Sequence, residues 1–350
     1  MATQQGGRRR LDSSVPQDYD VPTRVARIAS PRIAYLVMSS FVVLWLVGVA
    51  GAGTAVVAVG TPEWIQRPSA ALLMVVFTVA LVHRGGGHMR LWIPPTALLA
   101  IVTVAVENNT LLASAAVLTG ATAAVWAVLV TRPADGVVRA VAEFLIAIVV
   151  ALSGTLAVAA WSPPVDYQRF NLIVVGISLA LAIGLVWGLG AGLHGMGRQN
   201  FAILVGVALA LVLVLAYSSF VRTHGSQTVV DLFTNSVIWT RETFGGVPRP
   251  VEVLLGFPAL LVGVSVRSQR REGWWILVFA VVGTSVLTTS LVTPGAFPSY
   301  IGLSTLYSVV LGLLIGLGVR TQVMTQRSSR AARQIEPLSR VEPGRFAPLK

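Results

Sequence analysis

The sequence predicts an all-α, polytopic integral membrane bundle of about ten transmembrane helices, with both termini cytoplasmic. Three observations predict it: little charge, a series of apolar runs of bilayer length, and arginine gathered in alternate connections. Of the 350 residues, 55% are hydrophobic and 11% charged, with a mean hydropathy of +0.76. Soluble domains carry about 25% charged residues, so the surface of a chain this apolar has to be solvated by lipid.

A bilayer core takes about 20 apolar residues per helix, with a range of roughly 17–25. Runs of this kind fall at 33–58, 68–83, 91–107, 111–131, 138–161, 170–193, 201–221, 250–266, 274–292 and 299–319. The first is too long for the apolar core of a signal peptide and reads as an uncleaved anchor. The second, third and eighth are short. The third carries Pro94 and Pro95 in its first turn, where proline is tolerated. It reads as a full span, with a broken or re-entrant segment as the alternative.

Charge placement tests the count. With the N-terminus inside, 21 of the 26 Lys and Arg residues fall in inner loops and tails. The other 5 are Arg67, Arg169, Arg222, Arg241 and Arg249. That is the bias expected of cytoplasmic loops, and losing one helix would invert everything after it. Lys350 is the only lysine behind a net charge of +12. Such arginine usage points to a bacterium with a GC-rich genome, and the protein to its cytoplasmic membrane.

Residues 1–32 and 320–350 are rich in Arg, Ser, Pro, Gln and Gly and are expected to be disordered basic tails. Beside an anionic leaflet each arginine adds about 1 kcal/mol of attraction to lipid headgroups. The partners implied are the bilayer, anionic headgroups at the tails, and in one reading a membrane-protein partner; nucleic acid is not among them.

Cysteine is absent, which excludes disulfides and thiolate-bound metals. There is no GxxxxGK[ST], HExxH or GxSxG. His83, His88, His194 and His224 lie at run edges with no carboxylate set around them, so no metal and no cofactor is expected.

Small residues at a spacing of four mark helix-packing faces: Gly184, Gly188 and Gly192 in the sixth run, and Ser304, Ser308, Gly312 and Gly316 in the tenth. The ninth run carries Thr284, Ser285, Thr288, Thr289 and Ser290. These hydroxyls either return to a carbonyl one turn back or line a polar cavity. Charge near the runs is scarce. Glu143 stands at i+4 from Arg139, a spacing that allows an ion pair near the membrane. Glu252 stands three residues after Arg249, near the outer end of the eighth run.

The 222–249 loop is the long extracytoplasmic one. Over 228–244, Val229, Val230, Phe233, Val237 and Phe244 form one stripe, with Asp231, Asn235 and Glu242 opposite. Thr228 and Asp231 fit a capping box variant, and Gly245, Gly246 and Pro248 a stop. The segment reads as an interfacial amphipathic helix. His224, Asp231, Arg241 and Glu242 make its outer polar cluster: a carboxylate as base or metal ligand, and an arginine to hold phosphate. The plainer reading is a connector lying on lipid.

The best expectation is a transporter or permease subunit for a small or lipid-like solute. The alternative is an envelope enzyme acting on a lipid-linked substrate through the 222–250 loop. A third reading is a non-catalytic subunit of an envelope complex.

Overall fold

Helices account for all the regular secondary structure among the described residues of the computed structural model. Those residues are 31–57, 63–106, 108–189, 206, 227–267, 273–292, 297–331 and 342–349. The helices are α1 (Pro31–Gly53), α2 (Glu63–Arg84), α3 (Met89–Val106), α4 (Asn109–Leu129), α5 (Val137–Trp161), α6 (Tyr167–Gly188), α7 (Gln227–Phe244), α8 (Phe257–Arg267), α9 (Gly273–Thr288) and α10 (Pro298–Ala331). A π turn, Glu252–Gly256, leads into α8. A 3-10 turn, Ser290–Val292, follows α9. Among the described residues, eight helices are long and apolar enough to cross a membrane: α1 to α6, α9 with its 3-10 turn, and α10. The described residues are thus all-helical, with helices whose length and apolarity point to a membrane-embedded, multi-pass protein.

Two of the short runs are longer than the sequence predicts. α2 begins at Glu63, five residues ahead of Pro68, because a proline near a helix start removes few ladder bonds. α3 is continuous from Met89, which puts Pro94 and Pro95 inside it rather than in its first turn. The 250–266 run is not a uniform helix, since the π turn interrupts it before α8. The run at 201–221 lies outside the described residues, Gly206 excepted.

Residues 31–42 of α1 form a unit of their own, in which the Ser39 hydroxyl donates to Tyr35 O at 2.5 Å. In the body from Val43 onward, α4, α5 and α9 are the core. The spanning windows of α4 and α9 are each 72% buried, against 17% for α3, which lies at the rim. α8 packs on α9 and α10, and α5 meets it through Phe144 and Phe257, edge to face at 5.8 Å. Helices in lipid gain by close approach. At the crossing of the π turn and α9, Gly256 and Gly283 meet backbone to backbone, with no room for a Cβ on either. A Cβ on Gly312 of α10 would lie 2.6 Å from Phe257 Cβ, and one on Gly316 would lie 3.1 Å from Leu261.

Hydroxyls join the core helices. Thr284 and Thr288 of α9 donate to Ala124 O (3.0 Å) and Gly120 O (3.3 Å) of α4. Thr155 of α5 donates to Leu287 O at 2.9 Å, and Thr289 donates to Asn171 Oδ1 of α6 at 2.8 Å. Ser285 and Ser290 return to their own helix. Trp161 is buried, donating to Thr119 Oγ1 at 3.0 Å.

Composition predicts a disordered tail over 320–350; of that stretch the structure describes 320–331 and 342–349, and both are placed. α10 continues to Ala331, and residues 342–349 lie against the ends of α2 and α8 and the α4–α5 loop. The reason is paired charge. Arg345 grips Glu143 through two hydrogen bonds, 2.6 and 2.8 Å long. The Arg132 N–H donates to the same carboxylate at 2.8 Å. The expected Arg139–Glu143 pair is therefore replaced by Glu143 with Arg345, and Arg139 is exposed.

Gly256→Val forces a branched side chain into the crossing with Gly283. Overpacking of this kind costs about 1–3 kcal/mol. Thermal unfolding in detergent should show a clearly lowered Tm. Gly318→Ala, where nothing lies within 4 Å, should leave Tm unchanged or slightly raised.

Candidate functional site

The segment Gly245–Pro250 seats the site against α10. α7 stops at Phe244, and Gly245 takes a left-handed φ of 68°, its N–H donating to Arg241 O at 2.9 Å. Glycine adopts this conformation without strain, and it is a common helix stop. Gly246 is buried so tightly that a Cβ would meet Ser304 N at 2.8 Å. Pro248 and Pro250 have no N–H, so the alternating residues Val247 and Arg249 carry the donors to be satisfied. α10 offers two serines one turn apart. Val247 N–H donates to Ser304 Oγ at 3.0 Å, and Arg249 N–H to Ser308 Oγ at 2.9 Å. Tyr307 OH adds a bond to Phe244 O at 2.8 Å.

This anchoring places a charged pair inside the bundle. Glu252 is fully buried. Arg249 Nη1 donates to its Oε1 at 2.5 Å, and Arg249 Nη2 to Thr305 Oγ1 at 2.6 Å. The Ser308 hydroxyl also faces the carboxylate. Oε2 has no partner within hydrogen-bonding geometry. A carboxylate with a free oxygen, closed off from water, is expensive to keep, and a buried polar atom without a partner calls for an explanation. The backbone around it is irregular as well. The Phe257 N–H reaches back to Glu252 O, closing the wide π turn while Gly256 presses on Gly283. Single π turns within helices recur at functional sites. The arrangement can hold a proton at Oε2, the oxygen that the Arg249 guanidinium leaves open.

The residues expected at the outer cluster are not gathered. Asp231 and Glu242 are exposed on α7, and Arg241 lies over the Tyr300 ring at 4.8 Å from its centroid. His224 lies outside the described residues. Among the described residues no group of three or more His, Asp or Glu is placed to hold a metal ion. The α10 stripe divides its work: Ser304 and Ser308 accept backbone donors, while Gly312 and Gly316 admit α8. No described atom lies within 4 Å of a Cβ built on Gly184. Gly188 is exposed, and Gly192 lies outside the described residues.

Sequence alone places Glu252 near the outer end of its run and does not show that it is buried. The available signal was the i,i+3 spacing together with two serines and a threonine on one face of α10. No known protein family, characterised protein or solved structure matches the chain, so the site stands on its own geometry.

Removing one partner of a buried ion pair costs about 3–5 kcal/mol, because the other charge stays behind. Arg249→Gln alone should therefore destabilise strongly, and Arg249→Gln with Glu252→Gln should recover most of the loss. Thermal unfolding of the four members of this cycle reads the coupling. Additive losses would show that the two side chains act independently.

Proposed function

We propose that the chain is a membrane transporter or permease for a small or lipid-like solute, with Glu252 and Arg249 forming the charged element of its path. The observation that carries the reading is the buried Glu252 carboxylate, bound through one oxygen and open at the other, at a π-wound break in an apolar run. Interrupted helices at ion and solute sites are a recurring transporter plan, in which irregular backbone is tolerated where it serves a path. On this reading the chain crosses the membrane ten times with both termini cytoplasmic, counting the 201–221 run and the π-broken α8. The five outer Lys and Arg positions would then include Arg249, which places the site near the extracytoplasmic side. α7 would lie in the outer interface, its exposed Val237, Trp239 and Phe244 against lipid. The membrane is the cytoplasmic membrane of a bacterium. Arginine gathered at the inner ends also fits contact with anionic headgroups.

Proteoliposomes on a solid-supported membrane, challenged with a solute library under a fixed gradient, test the proposal. The wild-type protein should give a transient current for at least one solute class. Glu252→Gln, which removes the charge and keeps the shape, should cut that current by about a hundredfold or more, the usual cost of losing an essential proton-transfer group. Undiminished currents in the variant would separate Glu252 from transport. Silence of the wild type across the library would remove the reading.

A further inference from the structure

The opposite end of α8 holds a second buried polar assembly. Arg84 ends α2 and Arg267 ends α8, and both side chains are enclosed. Arg84 donates through Nη1 to Gly344 O (2.5 Å) and Ala347 O (2.6 Å), and through Nε to Leu129 O (3.3 Å). Leu349 N–H donates back to Arg84 O at 2.9 Å. Arg267 donates through Nη2 to Thr131 O at 2.5 Å and lies over the Trp274 ring, 4.4 Å from its centroid. Its Nε is 3.3 Å from Glu342 Oε1.

The charges here do not balance. Glu143 is taken up by the bidentate contact with Arg345. Glu342 acts on both Arg84 and Arg267, and Glu143 acts on Arg267 from within its contact with Arg345. Three buried guanidinium nitrogens make no hydrogen bond: Arg84 Nη2, Arg267 Nη1 and Arg267 Nε, of which the last is in ion-pair range of Glu342; the two Nη groups are the open donors. Buried donors in native structures are nearly always satisfied, and an unsatisfied guanidinium is among the costliest exceptions. Both belong to planar forks, whose geometry matches the oxygens of a phosphate better than a single-point anion.

We propose that Arg84 and Arg267 form a seat for one phosphate-class anion, either an anionic phospholipid headgroup or free phosphate. The segment Glu342–Leu349 folds over the seat, and Glu342 is the internal anion that competes for it. The competition follows from placement: the carboxylate that neutralises Arg267 belongs to the same short segment that closes over Arg84. A bound phosphate would take the two open donors and displace Glu342, while the Arg345–Glu143 grip holds the segment nearby.

The full chain, purified in neutral detergent, is titrated with inorganic phosphate against sodium chloride of equal ionic strength. In a second arm it is placed in phosphatidylcholine nanodiscs with increasing phosphatidylglycerol. The readout in both arms is the thermal midpoint. A saturable rise with phosphate identifies the free anion, and a rise with phosphatidylglycerol alone identifies the headgroup; either supports the seat. Glu342→Gln removes the competitor and should shift the midpoint concentration down by roughly tenfold, the size of one charge-assisted contact. Arg267→Gln should abolish the response. Should that variant not fold, Glu342→Gln carries the test, because its substitution leaves both arginines in place. Arg139→Gln, which removes an exposed charge at the same end, should leave the response intact. No response in either arm, an unshifted midpoint in Glu342→Gln, or a loss in Arg139→Gln equal to that in Arg267→Gln would overturn the proposal.

Discussion

A polar group enclosed by helices in hydrocarbon cannot fall back on water, so each one left over by the helical ladder must find a partner within the protein. In this bundle the hydroxyl is the usual partner. Thr284 and Thr288 tie α9 to α4, and Thr155 ties α5 to α9. Ser304 and Ser308 take the two N–H groups that the proline-spaced Val247–Arg249 stretch would otherwise leave open. The buried charge depends on this arrangement. Ser308 fixes the Arg249 backbone, Thr305 holds one arm of its guanidinium, and the other arm then reaches Glu252.

The same demand divides what the sequence reveals from what it conceals. Helix positions were legible, because apolar length and hydropathy are local properties. α7 lies at Gln227–Phe244, close to the 228–244 stripe read from periodicity. Partners were not legible where they lie far apart in the chain. Glu143 had a plausible neighbour in Arg139, yet it pairs with Arg345, 202 residues on. The π turn is equally hidden: it coincides with the approach of Gly283 to Gly256, and neither glycine alone announces it. The α9 hydroxyls were seen as a group, but whether they turned inward or crossed to other helices depended on which helices were adjacent.

The candidate site was half legible. The spacing of Arg249 and Glu252 could be read, as could the four-residue stripe on α10. What could not be read was that they face one another. Depth along a run was a poor guide to exposure: Glu252 lies in a first turn and is nonetheless closed off, because α10 and the proline-rich approach wrap that end of α8. Exposed charge on α7 was easier to notice and is less constrained, with Asp231 and Glu242 facing outward.

The Arg84 guanidinium has a consequence for how the protein is made. Its acceptors on Gly344 and Ala347 lie 260 and 263 residues downstream. A ribosome feeding the membrane releases α2 long before those carbonyls exist. Through most of synthesis this end of the protein therefore carries a guanidinium whose acceptors have yet to be made. The last contacts to form are then the ones that close it, so assembly of this end is governed by the order of translation as well as by the energy of the finished fold.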